Sequence, residues 1–191
     1  ICQRHIVAEG EKTSDLAVHA AQRALENARL SATDIDIIII ATTTPDDTFP
    51  STASVVQHKL KAYKAFAFDV QAVCAGFVYG LGVGDSLIKS GQGRRALIIG
   101  AESFTKLLNW KDRTTCVLFG DGAGAAIISS KGSGPSLLGF RSGADGSNPS
   151  LLYQPAGGSL KPASVQTIDK REHFLKMNGK EIFKSAVRVM E

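Results

Sequence analysis

Few residues in this 191-residue sequence are suited to covalent chemistry: three cysteines, Cys2, Cys74 and Cys116, and four histidines, His5, His19, His58 and His173. The cysteines are far apart, odd in number and form no C-x-x-C pair, which argues against a disulfide framework and against a zinc site. The histidines stand in terminal, helical or loop contexts with no H-x-x-x-H or carboxylate pairing, so no metal is expected. Cys74 differs by its position. Residues 65–70 read as a strand and the residues after Gln71-Ala72-Val73 as a helix. The thiol thus falls where a strand gives way to a helix, at the carboxyl edge where parallel α/β sheets keep their ligands. There it meets the positive end of the helix macrodipole and unpaired backbone N–H groups, which favour a nucleophilic sulfur. Its neighbours Ala75 and Gly76 leave approach open. A free cysteine is equally readable as a small core residue, and on the residues alone both readings stand. Cys116 opens a predicted strand and reads as core, and Cys2 lies at the ragged start.

Two glycine clusters invite a nucleotide reading. Gly120-Asp121-Gly122-Ala123-Gly124 has the wrong spacing for G-x-G-x-x-G and runs into a predicted strand, whereas a dinucleotide fingerprint must open a helix. Gly80, Gly82 and Gly84 fall inside a predicted helix, where missing side chains permit close packing.

The elements that must position Cys74 follow from periodicity. Thr13 and Ser14 are candidate caps for a helix over 15–29, with Ala17, Ala20, Ala21, Ala24, Leu25 and Ala28 on one face. Ile37-Ile38-Ile39-Ile40-Ala41 is a β-branched run of the kind buried on both faces of a parallel sheet. A proline-containing loop, 42–51, leads to a second helix marked by Ala53, Val56, Gln57 and Leu60. The strand over 65–70, the long helix ending near Gly91 and a strand over 96–100 complete an order of helices and strands that signals βαβ units. Val117-Leu118-Phe119 and Ala125-Ala126-Ile127-Ile128 flank a glycine turn and read as an antiparallel hairpin at the sheet edge. Lys131-Gly132-Ser133-Gly134-Pro135 reads as a connector. Beyond it come short strands, a glycine-rich loop over 143–162 and a final helix from near Asn178. The expected organisation is an α/β unit over 1–131 and an incomplete second unit over 132–191.

With 43% hydrophobic and 21% charged residues the chain is an ordinary globular one, not a disordered one. No stretch reaches the roughly 18 apolar residues of a membrane span, and no secretory start is visible. Cysteine usage fits a reducing, cytoplasmic setting. The net charge of +4 is scattered without aromatic interleaving, so nucleic acid is not an expected partner. The absence of an initiator methionine suggests that the protein begins earlier.

Asp69-Val70-Gln71-Ala72-Val73-Cys74-Ala75-Gly76-Phe77 closely resembles the nucleophile segment of type III β-ketoacyl-acyl-carrier-protein synthases, among the thiolase-like condensing enzymes. Ile1-Cys2-Gln3-Arg4-His5-Ile6 resembles that family's I-R-x-R-H-I segment, Ala41-Thr42-Thr43 its A-T-T, and Phe49-Pro50-Ser51 its F-P-S. Phe119-Gly120-Asp121-Gly122-Ala123-Gly124-Ala125 resembles its F-G-D-G-A-G-A, and the likeness returns at Met177-Asn178-Gly179-Lys180-Glu181-Ile182-Phe183-Lys184. Val73 and Gln71 stand where alanine is common.

The resemblance implies a thiolase-like fold of two βαβαβαββ halves in a five-layered αβαβα body, the first half complete here and the second cut short. It also implies a cofactor-free, ping-pong decarboxylative Claisen condensation in which Cys74 accepts an acyl group from acyl-CoA, typically acetyl-CoA, and passes it to malonyl-ACP. In that scheme Arg113 packs on the CoA adenine, where a planar guanidinium suits stacking and phosphate contact. Phe119, Met177, Gly179 and Phe183 line the pantetheine channel and acyl pocket, and Phe49 reaches across a homodimer to the partner's pocket. The family's catalytic histidine and asparagine, and the glycine completing its oxyanion hole, match positions past Glu191, so the chain alone is not expected to finish condensation. A relative that makes quinolones or polyketides from CoA esters, a non-catalytic thiolase-fold binding module and a nucleotide-binding α/β protein are the competing readings. Lys106, Lys111 or Lys180 are candidates for docking the acidic carrier protein.

Overall fold

The computed structural model describes residues 2–132, 134 and 136–190. Ile1 of the first motif, Ser133 and Pro135 of the connector, and Glu191 lie outside the described residues. The chain forms two compact units, Ile1–Ser103 with Asp121–Ser142, and Phe104–Gly120 with Gly143–Glu191. These units are discontinuous in sequence, with Phe104–Gly120 grouped with the later stretch.

In the first unit β1 (Ile37–Ala41), β2 (Phe66–Val70), β3 (Arg95–Ser103) and β4 (Asp121–Ser129) make a four-stranded sheet in the order β2-β1-β3-β4. β1 is parallel to both β2 and β3, and β4 is antiparallel to β3. The isoleucine run of β1 is buried throughout, because side chains alternate across a strand and both faces here are covered. Ile38 and Ile40, with Leu97 and Ile99, pack against Ala17, Ala21 and Leu25 of α1 (Thr13–Ala28) and Ala53 and Val56 of α2 (Thr52–Leu60). Ile37 and Ile39, with Ala96 and Ile98, pack against Phe77, Leu81, Leu87 and Ile88 of α3 (Gly76–Lys89). Each fully buried isoleucine contributes about 1.5–3 kcal/mol relative to exposure, which makes this α/β/α sandwich the rigid part of the unit.

The glycines within α3 permit that approach. A Cβ on Gly80 would lie 3.0 Å from Ile98 Cγ2, and one on Gly84 would lie 2.8 Å from Ile98 Cδ1. Past the helix end, Gly91 takes φ +80, and its N–H bonds Ile88 O while that of Gln92 bonds Leu87 O. That is the expected glycine termination.

Two expectations are corrected. Thr13 and Ser14 do not cap α1: they are buried inside it, and Lys12 is the cap, its N–H donating to Asp15 Oδ2 at 3.0 Å. Their hydroxyls are instead drawn to distant partners, Thr13 Oγ1 donating to Thr44 O and Ser14 Oγ accepting from Lys59 Nζ. The glycine hairpin does not form either. Val117-Leu118-Phe119 is turn and coil, and Gly122 and Gly124 lie within β4, opposite Glu102 and Gly100 of β3. Backbone bonds from Thr115 and Cys116 N–H to Asp112 O curl that stretch into successive turns, so Cys116 is core, as expected, but in a turn. The sheet of this α/β unit has four strands, and residues 2–12 hold none.

The second unit has little regular structure: β5 (Leu152–Tyr153) and β6 (Lys176–Met177) pair antiparallel, and α4 (Val165–Asp169) and α5 (Gly179–Met190) are its α-helices. Its core gathers Leu108, Cys116 and Leu175 with Phe104, Phe119 and Leu152.

Gly80→Val should destabilise the chain by about 1–3 kcal/mol through overpacking against Ile98. Gly132→Ala, which meets no atom within 4 Å, should change stability by less than about 0.5 kcal/mol. Urea denaturation of both variants checks the pair.

Candidate active site

Cys74 is carried by the sharp turn between β2 and α3. After Val70 the chain reaches Ala72 (φ −138, ψ 27) and then Val73, whose φ of 48 is left-handed. A β-branched residue there is a genuine outlier, with a local cost of about 1–3 kcal/mol. A short 3₁₀ turn, Val73–Ala75, runs directly into α3, with Ala75 N–H on Ala72 O and Gly76 N–H on Val73 O. The N–H groups of Val73 and Cys74 are therefore the helix-opening amides that the turn itself leaves without an acceptor. This is the strained strand-to-helix geometry of a nucleophile elbow. It presents Cys74 as an exposed thiol, so the core-residue reading fails.

The thiol faces an open recess of about 320 Å³ lined by Cys74, Val73 and Phe77, by Ala41 at the end of β1, and by residues 100–102 and 122–124 of β3 and β4. Glycines shape it from two sides. Gly76 is required by Ala41, whose Cβ would stand 3.0 Å from a Cβ at that position. Gly122 and Gly124 leave open space, with no atom within 4 Å of a Cβ at either. Gly122-Ala123-Gly124 of the F-G-D-G-A-G-A stretch are thus a wall of the cysteine recess formed by strand β4.

Two aspartates fix the loop opposite. Asp69 of β2 accepts from the N–H groups of Thr52 and Ala53, each at 2.8 Å, placing a carboxylate at the start of α2 where the macrodipole favours it. Asp46 Oδ1 accepts from Ser14 N at 2.9 Å. Between these anchors Phe49 stands 83% exposed. Glu102, in the recess wall, is held by hydroxyls and an amide of Thr43 and Thr44. In the sequence Asp69, Thr42 and Thr43 stood only as letters of motifs with no role assigned, and Glu102 was not singled out.

The other sequence-derived site residues, Arg113, Phe119, Met177, Gly179 and Phe183, belong to the second unit. Phe119 stacks on Phe104 with centroids 4.9 Å apart. Met177 lies in β6, and its Cε would stand 3.4 Å from a Cβ on Gly179 at the start of α5. Phe183 is 70% exposed, and Arg113 is exposed within a turn organised by Asp112. The Asp112 carboxylate accepts from Thr114 Oγ1 (2.6 Å), Thr114 N (3.0 Å) and Thr115 Oγ1 (3.1 Å). The hydroxyl bond from Thr114, followed by its backbone bond, holds this carboxyl below the ordinary aspartate range. Among the described residues no group of three or more His, Cys, Asp or Glu is placed to hold a metal, and no helix is long and apolar enough to cross a membrane.

Residues 68–146, which contain the elbow, Arg113 and the glycine wall, match the family model for 3-oxoacyl-[acyl-carrier-protein] synthase III. The whole chain is 51% identical to a β-ketoacyl-[acyl-carrier-protein] synthase III of Caldanaerobacter subterraneus, covering 58% of it. A relative of the same name from Natranaerobius thermophilus is 50% identical over the whole chain, which covers 59% of it. The crystal structure of 3-oxoacyl-[acyl-carrier-protein] synthase III from Aquifex aeolicus superposes with a TM-score of 0.84 at 42% identity, over 98% of this chain and 56% of that one. The chain thus spans less than two thirds of the length of these relatives.

Val73→Gly should leave stability unchanged or raise it by up to about 1 kcal/mol, since glycine adopts the left-handed region freely; a loss of more than about 1 kcal/mol in denaturant would contradict a strained turn. The depressed Asp112 carboxyl makes a contribution that is complete above the unfolded aspartate value near 3.9 and is lost as pH falls through the lower folded value. Denaturant midpoints of the chain and of Asp112→Asn should therefore differ at pH 7 and converge toward about pH 2.

Proposed function

This chain belongs to the β-ketoacyl-acyl-carrier-protein synthase III family, and from that premise we propose that Cys74 is the acyl-accepting nucleophile of the initiating condensation of fatty acid synthesis. The observation that carries the proposal is an exposed thiol at a strained helix start, opening onto a recess walled by glycine. In the first half-reaction Cys74 Sγ adds to the carbonyl carbon of an acyl-CoA, and the negative charge gathers on the carbonyl oxygen. The Cys74 N–H at the head of the helix is a donor suited to that oxyanion. Collapse expels CoA as its thiolate and leaves the acyl group as a Cys74 thioester. In the second, malonyl-ACP loses CO2, its carbanion attacks the thioester carbonyl, and the Cys74 thiolate leaves as β-ketoacyl-ACP forms. Splitting acyl transfer this way replaces one hard step with two easier ones. In this scheme the family's histidine and asparagine serve the second half-reaction.

Arg113 is assigned to the CoA adenine and phosphates, a role that its exposed guanidinium suits. Phe119, Met177, Gly179 and Phe183 are assigned to the pantetheine channel and acyl pocket, and their shared membership of one compact unit supports that assignment. Phe49 is assigned to a homodimer contact, where an exposed ring would be covered by a second copy. The division into a first fold half ending at 131 and the start of a second at 132, and a cytoplasmic location, belong to the same reading.

The test charges the full-length protein with acetyl-CoA and then offers malonyl-ACP or malonyl-CoA, following CoA release and product. Burst release of CoA, and turnover with malonyl-ACP but not with malonyl-CoA, are expected; Cys74→Ser should abolish both steps. Preference for malonyl-CoA would move the chain to the polyketide and quinolone branch. Release of no CoA would leave a thiolase-fold binding module.

A further inference from the structure

We infer that Glu102 is a positioning residue for the Cys74 recess, an assignment that rests on the reading of Cys74 as nucleophile. Its carboxylate accepts three hydrogen bonds, all from the turn that follows β1: Thr43 N and Thr43 Oγ1 on Oε1, each at 2.7 Å, and Thr44 Oγ1 on Oε2 at 2.6 Å. The turn is tied to β3 again by Ser103 N donating to Thr44 Oγ1 at 2.8 Å, and to α1 by Thr13 Oγ1 donating to Thr44 O at 2.6 Å. Thr13 and Ser103 are 3% and 2% exposed, so these part-buried bonds are shielded from water on one side and costly to leave unmade.

The consequence reaches the sulfur through contact. Ala41, two residues before Thr43, lines the recess and packs on Gly76, two residues after Cys74. A turn held by Glu102 fixes Ala41; Ala41 in turn fixes the backbone that carries the elbow. An acceptor-only group is what the site calls for: Thr44 Oγ1 already accepts from Ser103 N and must donate toward Oε2. Glutamine would keep the two bonds on one oxygen and place an amide NH2 against that hydroxyl.

The experiment compares the intact protein with Glu102→Ala and Glu102→Gln by two readouts. Amide hydrogen exchange over residues 42–49 should accelerate by about tenfold or more in Glu102→Ala and by much less in Glu102→Gln. Acylation of Cys74 by acetyl-CoA should lose about tenfold or more in maximal rate in Glu102→Ala, with the half-saturating concentration within about twofold. Alkylation of the same thiol by iodoacetamide should stay within about twofold, because a small reagent needs access but not alignment. Glu102→Gln should recover most of the acylation rate. Unchanged exchange in Glu102→Ala would overturn the clamp whatever Cys74 does. Faster exchange with an unchanged acylation rate, or equal losses toward acetyl-CoA and iodoacetamide, would overturn its role in positioning. A wild-type protein that takes no acyl group would refute both the nucleophile assignment and the positioning role that rests on it, leaving the exchange result as a test of the clamp alone.

Discussion

Burial of β1 on both faces is the constraint on which the rest depends. A strand of four isoleucines and an alanine has no face to give to water, so helices must cover it from both sides, and its neighbours must be parallel strands whose connections supply those helices. α2 takes the face of Ile38 and Ile40, and α3 that of Ile37 and Ile39. Adjacent strands whose connections leave to opposite faces create a crevice at their carboxyl ends. Cys74 stands at the end of β2, beside that crevice, with Ala41 of β1 in the wall of its recess. The location of the chemistry is thus a consequence of how the core is filled.

Local strain and local order meet there. Val73 is held in a conformation that its side chain disfavours, which persists only because the surroundings over-determine it. Gly76 is clamped under Ala41, Asp69 ties β2 to the head of α2, and Glu102 ties β3 to the turn after β1. Each carboxylate links the end of one strand to the segment following another. The edge of the sheet is therefore knitted by side chains just where strand pairing runs out.

The sequence disclosed the parts governed by periodicity. β1, α3 with its packing glycines, the termination at Gly91 and the placement of Cys74 at a strand-to-helix junction were all readable, because each depends on residues close in the chain. It misled where local and distant partners compete. Thr13 and Ser14 look like caps, yet their hydroxyls bond Thr44 and Lys59, residues far along the chain. Gly122 and Gly124 look like a turn, yet they pair within a long strand because β3 continues past Gly100 to Ser103. Glu102 carries no periodic signal, and only the fold brings Thr43 and Thr44 to it. The grouping of Phe104–Gly120 with the later residues was equally invisible, since it rests on the cluster of Leu108, Cys116 and Leu175.

The central claim is that one thiol of three is made to accept an acyl group by the turn that carries it. Peptide mapping after exposure of the folded protein to acyl-CoA, with free thiols then blocked by iodoacetamide, tests this directly. An acyl thioester on the Cys74 peptide, removable by hydroxylamine, with Cys2 alkylated and unacylated, is the predicted result. Alkylation of Cys74 to the same extent with and without acyl-CoA, or acyl groups shared equally between Cys74 and the exposed Cys2, would contradict it.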